Sequence, residues 1–574
     1  MILGLLFPIS NMLYMHYYAF FNRYLEDELL AYCFVNNLLM VLFDVTIIVL
    51  FFLLVTLGRF KLSLLSAYSI TWLWSLVNLF YIRFFGQYIP LSALGMINQL
   101  ADQAVTNSIF AGLSYSDLYF VISLVLFTFF YRSMENIRFP IRWICGWILL
   151  PIVFFASIFV VYSLYHVIKS ETRRNKQLYT QRIVEYLHTD TKNAFPNTTR
   201  FLAGCVRVLT AEVYEVSHPY VLSNKERDEV FIESSNLKYR KSNHLRNHKV
   251  KNVVFLVLES FLSSPIDLII EGKEITPFLN SLKREEDVYY NGHVQPNITM
   301  GESGDGQFIY MTGILPLRDK LTVGEAKNLA LPALPRVLKN QLDINYSEII
   351  IPSPPKMWEQ EQMNKVYGIK KMYCNRDMLG TVSNYLNDEQ VFSMAMKSLS
   401  VHHQPFFSIV LSYSTHQPYR TPIDNNFVLN DPSISNGYKN YLIACHYTDH
   451  WMEKYINYLK RNNAYENSLI IITADHNAHL DALGMEGKLS KELPLFIIHG
   501  NIDVTKAWMG VMNQLDVYTT ILDVLDVQSN WYGLGHTILD LNYHNSLTEQ
   551  AWTMSEWIIK GKYFGLLHNN ESDY

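Results

Sequence analysis

Charged side chains are scarce in this chain. They make up 17% of its 574 residues, and the formal net charge is -5. A nucleic-acid binder carries a basic footprint, so this balance excludes that class of partner. Cysteine is scarce too. Cys33, Cys145, Cys205, Cys374 and Cys445 are scattered and form no CxxC pair, which leaves a zinc ribbon or a thioredoxin-like motif unsupported. Cys33 and Cys145 fall in or beside apolar segments; one disulfide among the other three is open, and buried free thiols are expected. Internal repeats and low-complexity tracts are also lacking, which excludes a solenoid.

The scarcity of charge is uneven. Up to about residue 168 the chain is mostly uncharged, and half of all residues are hydrophobic. A bilayer-spanning helix needs about 20 mostly apolar residues. Residues 1–21, 37–57, 62–82 and 143–168 meet this, as does 113–131 with Asp117 near its start, so five spans are expected. The first lacks the basic flank and small-residue cleavage site of a signal peptide. The basic links at 58–61 and 132–142 are expected on the cytoplasmic side, and the acidic link with Glu26, Asp27 and Glu28 outside. This arrangement puts the carboxyl-terminal half outside the cytoplasm. Lys169, Arg173 and Arg174 argue mildly against it, but large domains translocate largely regardless of charge. Asp44 lies within the second span, where a carboxylate either bonds to a neighbouring helix or meets a headgroup. Residues 89–110 are moderately amphipathic and read as an interfacial segment or a folded loop.

Residues 169–248 read as a juxtamembrane region: NKQLYTQRIVEYLH as helix, NTTRFLAGCVRVLTAEVYEV as an amphipathic helix, and SNKERDEVFIESSNLKYRKSNHLRNHK as extended linker. The domain division is therefore 1–168, 169–248 and 249–574. From residue 249 the pattern alternates. VKNVVFLVLES, SEIIIPS, PFFSIVLSYS, SLIIITAD and LPLFIIHG read as strands. ITPFLNSLKRE, ALPRVLKNQL, GYKNYLIACHYTDHWMEKYINYLKRN and QLDVYTTILDVLDV read as helices. For the first of these, Thr276 stands at the start and Pro277 at an early position. Continuous apolar strands alternating with helices predict a mainly parallel α/β sheet covered by helices on both faces.

Three of those strands end in groups that bind metal or handle protons: Glu259, His416 and the pair Asp475 and His476. In open α/β sheets, ligands and catalysts gather at the carboxyl ends of strands. Each residue alone has a plain structural reading, as a strand-end charge, a loop histidine or a capping aspartate. Together, Glu259, Asp475 and His476 offer mixed oxygen and nitrogen donors that suit manganese, zinc or magnesium. The segment GESGDGQF supplies a fourth part. Its glycines permit a tight turn, and if a helix opens at Gln307, Ser303 sits near its amino end, where an oxyanion is favoured. Metal coordination would favour the Ser303 alkoxide as nucleophile. Taken alone, a Gly/Ser/Asp loop is most often a turn.

The run from residue 249 to about 541 resembles the alkaline phosphatase/sulfatase superfamily. With the apolar segments ahead of it, the chain resembles the lipoteichoic acid synthase branch, the membrane phosphoglycerol transferases. The matching pieces are NVVFLVLESF with ITPFLNSL, GESGDGQF, SYSTHQPY, LIIITADHNAH and QLDVYTTILDVLDV. The resemblance implies an alkaline-phosphatase-like fold and one divalent ion, manganese or zinc with magnesium also admitted, held by Glu259, Ser303, Asp475 and His476. It implies that His416 contacts the transferred phosphoryl group, and that Trp358 and His479 line the substrate side. The family nucleophile is usually threonine; Thr299 is a nearby hydroxyl whose register fits poorly. The family commonly has an arginine two residues after the tryptophan, and here Gln360 stands there, which alters the grip on the donor phosphate. Formylglycine sulfatases need Cys or Ser followed by x-Pro-x-Arg, which Ser303-Gly304-Asp305-Gly306-Gln307 does not supply. Cysteine-rich phosphoethanolamine transferases, with their disulfide-stapled domains and threonine-centred loop, match less well.

The resemblance thus implies transfer of a phospholipid headgroup, phosphoglycerol first, through a phosphoseryl intermediate to a hydroxylated glycan or glycolipid. A bacterial cytoplasmic membrane location follows, multi-pass, with the catalytic domain outside. Phosphoethanolamine transfer to a glycolipid, hydrolysis to water, and an inactive glycolipid-binding relative remain as alternatives.

Overall fold

The structure is a computed structural model. It describes residues 2–21, 30–85, 89, 113–140, 209, 213 and 216–568, the last except 319, 382–383, 400–404, 420, 423–425, 481 and 486. The chain divides into two units, Met1–Pro219 and Tyr220–Tyr574.

The first unit contains the helices α1 (Ile2–Phe21), α2 (Leu30–Val55), α3 (Phe60–Phe85) and α4 (Leu118–Ser133). Met12, Val41, Val45, Leu64, Ala67 and Phe127 form its apolar core. Buried polar groups bond between helices, as where Ser123 donates to Asn11 Oδ1 at 2.9 Å. Asp44 is buried. Two stretches are long and apolar enough to cross a bilayer, Phe60–Ile82 and Tyr115–Ser133, and Val41–Val55 is a shorter apolar helix. Among the described residues two such helices are found, which leaves the five expected spans unconfirmed. Pro8, Asn11 and His16 lower the apolar character of α1, and the segments at 90–110 and 143–168 lie outside the described residues.

The second unit is built on an eight-stranded sheet. Its strands are β1 (Asn252–Leu258), β4 (Val288–Gln295), β5 (Tyr346–Ile350), β6 (Lys371–Tyr373), β7 (Phe406–Leu411), β8 (Ser468–Ala474), β9 (Leu493–Ile498) and β10 (Met512–Asn513), in the order β10-β4-β9-β8-β1-β7-β5-β6. A separate hairpin joins β2 (Ile269–Ile270) and β3 (Lys273–Glu274). All neighbouring pairs in the large sheet are parallel except those of β9, which runs antiparallel to β4 and β8. Every residue of β1, β8 and β9 is buried. Unbroken runs such as NVVFLVL and SLIIITA are therefore core strands packed on both faces, as a mainly parallel sheet requires.

Local signals set several helix boundaries. The segment expected as extended linker contains a helix at Asn224–Ser234, opened by a capping box between Ser223 and Glu226. The Ser-x-x-Glu spacing was its sequence signal. Helix α5 (Pro277–Leu282) starts with proline in its first turn, as expected, but Thr276 does not cap it. Asp449, on the long helix α8 (Asn436–Arg461), caps it instead, accepting from Phe278 N at 2.8 Å and Leu279 N at 3.0 Å. Thr276 Oγ1 turns to the Pro265 carbonyl at 3.2 Å. A carboxylate supplied across the fold satisfies orphan amides as well as a local one does, and ties two elements together. Cys374 and Cys445 are both buried and free.

His536 gives the unit a pH dependence away from any metal ligand. Burial, reinforced by the Arg240 guanidinium and the charge of His544, pushes its pKa down to about 4 against the pull of its bond to the His544 carbonyl. The ring also stacks on Tyr239 at 4.8 Å. The unfolded chain takes up this proton near pH 6.5, and the folded chain does so only near 4. Stability contributed by His536 is thus present above about 6.5 and lost as pH falls toward 4. Thermal unfolding of His536→Gln should show a shallower loss over that window than the parent protein.

Candidate metal centre

Register builds the site. Leu258, the last residue of β1, pairs with Ala474, the last of β8. Parallel neighbours that end level deliver the next residues, Glu259 and Asp475, side by side. Asp475 N donates to the Leu258 carbonyl at 3.1 Å, continuing the ladder one step beyond the strands. Glu259 N donates to Ser412 Oγ at 2.9 Å, just past β7. Asp475 Oδ1 accepts from Ser260 N at 2.8 Å and His476 N at 2.7 Å. Ser260 Oγ donates to Glu259 Oε1 at 2.7 Å.

His476 turns its ring into the same space. Its Nδ1 lies 2.9 Å from the Asn477 carbonyl, which can only accept, so Nδ1 carries the proton and Nε2 faces the acids. Nε2 is 3.3 Å from Glu259 Oε1 and 3.7 Å from Asp475 Oδ2. Donor atoms of Glu259, Asp475 and His476, all buried, lie within 4.8 Å of one another.

Ser303 arrives from helix α6 (Glu302–Thr312). Its Oγ stands 3.1 Å from Glu259 Oε2 and 3.3 Å from His476 Nε2. Two devices hold it there. Asp305 accepts from Thr299 N at 3.0 Å, Thr299 Oγ1 at 2.8 Å and Gly301 N at 2.9 Å, locking the turn before the helix. Gly306 lets α6 press against the end of β8, since a Cβ there would lie 2.2 Å from the Asp475 carbonyl oxygen. Gln514 Nε2 donates to that same oxygen at 2.6 Å. Thr299 is thereby committed to Asp305 and to the Leu317 carbonyl at 2.7 Å.

Electrostatics fit a cation. Burial pushes the Asp475 carboxyl up to about 8, and the adjacent Glu259 charge adds to this. Burial alone would raise Glu259 as well, but the His476 hydrogen bond and charge, then His416 and Ser260, hold it well below the ordinary carboxylate range. Burial works to lower the His476 imidazole, and the Asp475 and Glu259 carboxylates outweigh it and raise it well above its usual value. Two buried carboxylates this close need positive charge between them. Two acids, an imidazole and a hydroxyl are a donor set that suits a divalent ion, so the residues present fit the metal that the sequence resemblance implies.

The remaining expected residues fall into two groups. His416 follows β7, its Nδ1 2.6 Å from the Gln417 carbonyl and its ring stacked on Tyr413 at 5.0 Å. Asp388, which the sequence did not flag, fixes that loop by accepting from Tyr413 N at 2.7 Å and Ser414 N at 3.1 Å. His479 lies with its ring 6.3 Å from that of His476 and its Nε2 3.4 Å from Glu302 Oε1. Trp358 packs over the nucleophile loop: a Cβ at Gly304 would lie 3.4 Å from its ring. Gln360 is turned away. It is buried, and its Nε2 donates to Asn364 Oδ1 at 2.8 Å within its own helix.

Residues 251–527 match the Sulfatase family model. Over that stretch the chain is similar to the sulfatase family, and the stretch spans most of the mainly parallel α/β sheet described above. It is similar to lipoteichoic acid synthase 2 of Bacillus subtilis (strain 168), at 28% identity over 303 residues, covering 49% of this chain and 46% of that protein. The chain thus spans about half the length of the curated relatives it matches. Among solved structures it is similar to a lipoteichoic acid synthase from Listeria monocytogenes (19% identity, 55% of this chain and 81% of that one, TM-score 0.46). A second is the integral membrane lipooligosaccharide phosphoethanolamine transferase A from Neisseria meningitidis (15% identity, 80% and 83%, TM-score 0.49).

Proposed function

We propose that the chain is a metal-dependent membrane phosphotransferase that moves a phospholipid headgroup onto a hydroxylated glycan or glycolipid. The observation that carries this is the Ser303 hydroxyl, 3.1 Å from Glu259 and 3.3 Å from His476 within the buried acid and imidazole cluster. The lipoteichoic acid synthase relatives point to phosphoglycerol as the headgroup; phosphoethanolamine is the competing reading, and the Glu302 carboxylate beside Ser303 and His479 tips the choice toward it.

Glu259, Ser303, Asp475 and His476 would hold one divalent ion, manganese or zinc. Bound there, it would supply positive charge that lowers the cost of an ionised Ser303 and of charge on the phosphate. Ser303 Oγ, its proton given up to solvent, attacks the phosphodiester phosphorus, the bond to diacylglycerol breaks, and a phosphoseryl enzyme forms; the acceptor oxygen then attacks that phosphorus, the bond to Ser303 Oγ breaks and the serine is restored. His416, its Nδ1 held by the Gln417 carbonyl, presents Nε2 to protonate the departing oxygen and later to take the proton of the acceptor hydroxyl. Trp358 and His479 line the substrate side, and with Gln360 turned inward the donor phosphate is gripped without a cationic fork. The five apolar segments anchor the chain in the bacterial cytoplasmic membrane, residues 169–248 join them to the catalytic domain, and that domain works outside the cytoplasm, where it meets lipid donors.

Incubating the purified full chain with headgroup-labelled phospholipid vesicles and a glycolipid acceptor tests this. Label on the acceptor with matching diacylglycerol release is expected. Label released only as free headgroup phosphate would replace transfer with hydrolysis, and no consumption of donor alongside an absence of stoichiometric divalent ion would favour a non-enzyme.

A further inference from the structure

Glu302 directly precedes Ser303 and occupies a backbone position that suits it badly. Its φ is +37°, in the left-handed region, where a Cβ is disfavoured and glycine is at ease. The side chain adds little to the core: it is 31% exposed, and it meets His479, itself 47% exposed. A residue kept against local preference, at the lip of a site, points to function there.

The charge around Ser303 sharpens this. The groups that act most strongly on the cluster are the carboxylates Glu259, Glu302 and Asp475 and the imidazoles His416, His476 and His479. Gln360, where the resemblance implies an arginine, is buried and bonded to Asn364. A divalent ion would balance Glu259 and Asp475. Glu302 would then remain as a carboxylate beside the nucleophile, 3.4 Å from Nε2 of the part-exposed His479.

We propose that Glu302 is a specificity-determining residue that favours donors whose headgroup ends in a primary ammonium, as in a phosphoethanolamine phospholipid, over those ending in a neutral polyol. This rests on the phosphoseryl reading of Ser303. The bonds exchanged are those already given: Ser303 Oγ to phosphorus forms, phosphorus to the diacylglycerol oxygen breaks, and that oxygen takes a proton. The ammonium stays protonated and unreacted, held by charge-assisted hydrogen bonds to the carboxylate. A glycerol hydroxyl can donate to Glu302 too, but it gains nothing from the negative charge, so Glu302→Gln separates the two.

The test offers the full chain equimolar vesicles of phosphatidylethanolamine and phosphatidylglycerol. Intact mass after rapid quenching reads which headgroup phosphate sits on the enzyme. The wild type should load mainly aminoethyl phosphate, and Glu302→Gln should lower the ratio of aminoethyl to glyceryl adduct by about twofold to fivefold, the weight of one part-exposed charge pair. Glu302→Gly removes the charge while suiting the left-handed backbone, so a shift in both variants separates selectivity from misfolding. A wild type that loads glyceryl phosphate equally or better, or an unchanged ratio in both variants, overturns the role of Glu302 and leaves Ser303 as nucleophile. If neither donor yields an adduct or diacylglycerol, the transferase reading fails, and this inference with it.

Discussion

Ser303→Ala is expected to lower headgroup transfer by about a thousandfold or more and to erase the covalent adduct, as loss of a nucleophile does in enzymes that form a covalent intermediate. The size of the effect follows from how the site is built. Other hydroxyls lie near, and the two that compete most directly cannot substitute. Thr299 is held by Asp305 and the Leu317 carbonyl, and Ser260, though 2.7 Å from Glu259 Oε1, is buried. Among the described residues, Ser303 alone combines partial exposure with contact to both Glu259 and His476. Ser303→Thr keeps the hydroxyl and should retain most of the activity, whereas Ser260→Ala should leave the adduct on Ser303. Adduct and turnover measured side by side in these three variants check the assignment.

Asp475→Asn carries the second large effect. Asp475 Oδ1 accepts from the amides of Ser260 and His476, and an asparagine oxygen can keep both bonds. What is lost is the negative charge and the Oδ2 donor that faces His476. Turnover should fall about a hundredfold or more, with bound divalent ion dropping below one per chain. Stability should move the other way in chelator. Burial and the Glu259 charge make an ionised Asp475 costly without a cation, so the metal-free variant should unfold at the same temperature as the metal-free parent or higher. Added metal should raise the parent's unfolding temperature, by the equivalent of about 2.7 kcal/mol at a hundredfold excess over its dissociation constant, and leave the variant nearly unmoved. Calorimetric scans with chelator and with manganese or zinc read both.

The convergence of Glu259, Asp475 and His476 was legible because their positions follow from strand physics. Runs of buried β-branched residues mark where β1 and β8 end, and each run stops at a residue with a donor side chain. Their in-register pairing was not legible, since register is set by three-dimensional packing. Strand β4 was missed because Asn291, Gly292 and His293 interrupt its apolar pattern, at the place where the ladder shifts register. The direction of β9 was likewise hidden, because an antiparallel strand buried on both faces reads like a parallel one. The supports of Ser303 escaped for a different reason. Asp305 looked like a turn residue, Gly306 one glycine among several, and Gln514 part of a helix, until the close approach to the Asp475 carbonyl was seen. Apolar composition marks five candidate spans, and among the described residues two helices meet the length and hydropathy of a span.

The most direct measurement maps the phosphoryl group by peptide sequencing of the full chain, quenched during turnover with a divalent ion present. The account predicts a single modified residue, Ser303, whose modification disappears when the ion is chelated. A phosphoryl group on Thr299 or Ser260, or steady transfer with no modified residue at all, would contradict it.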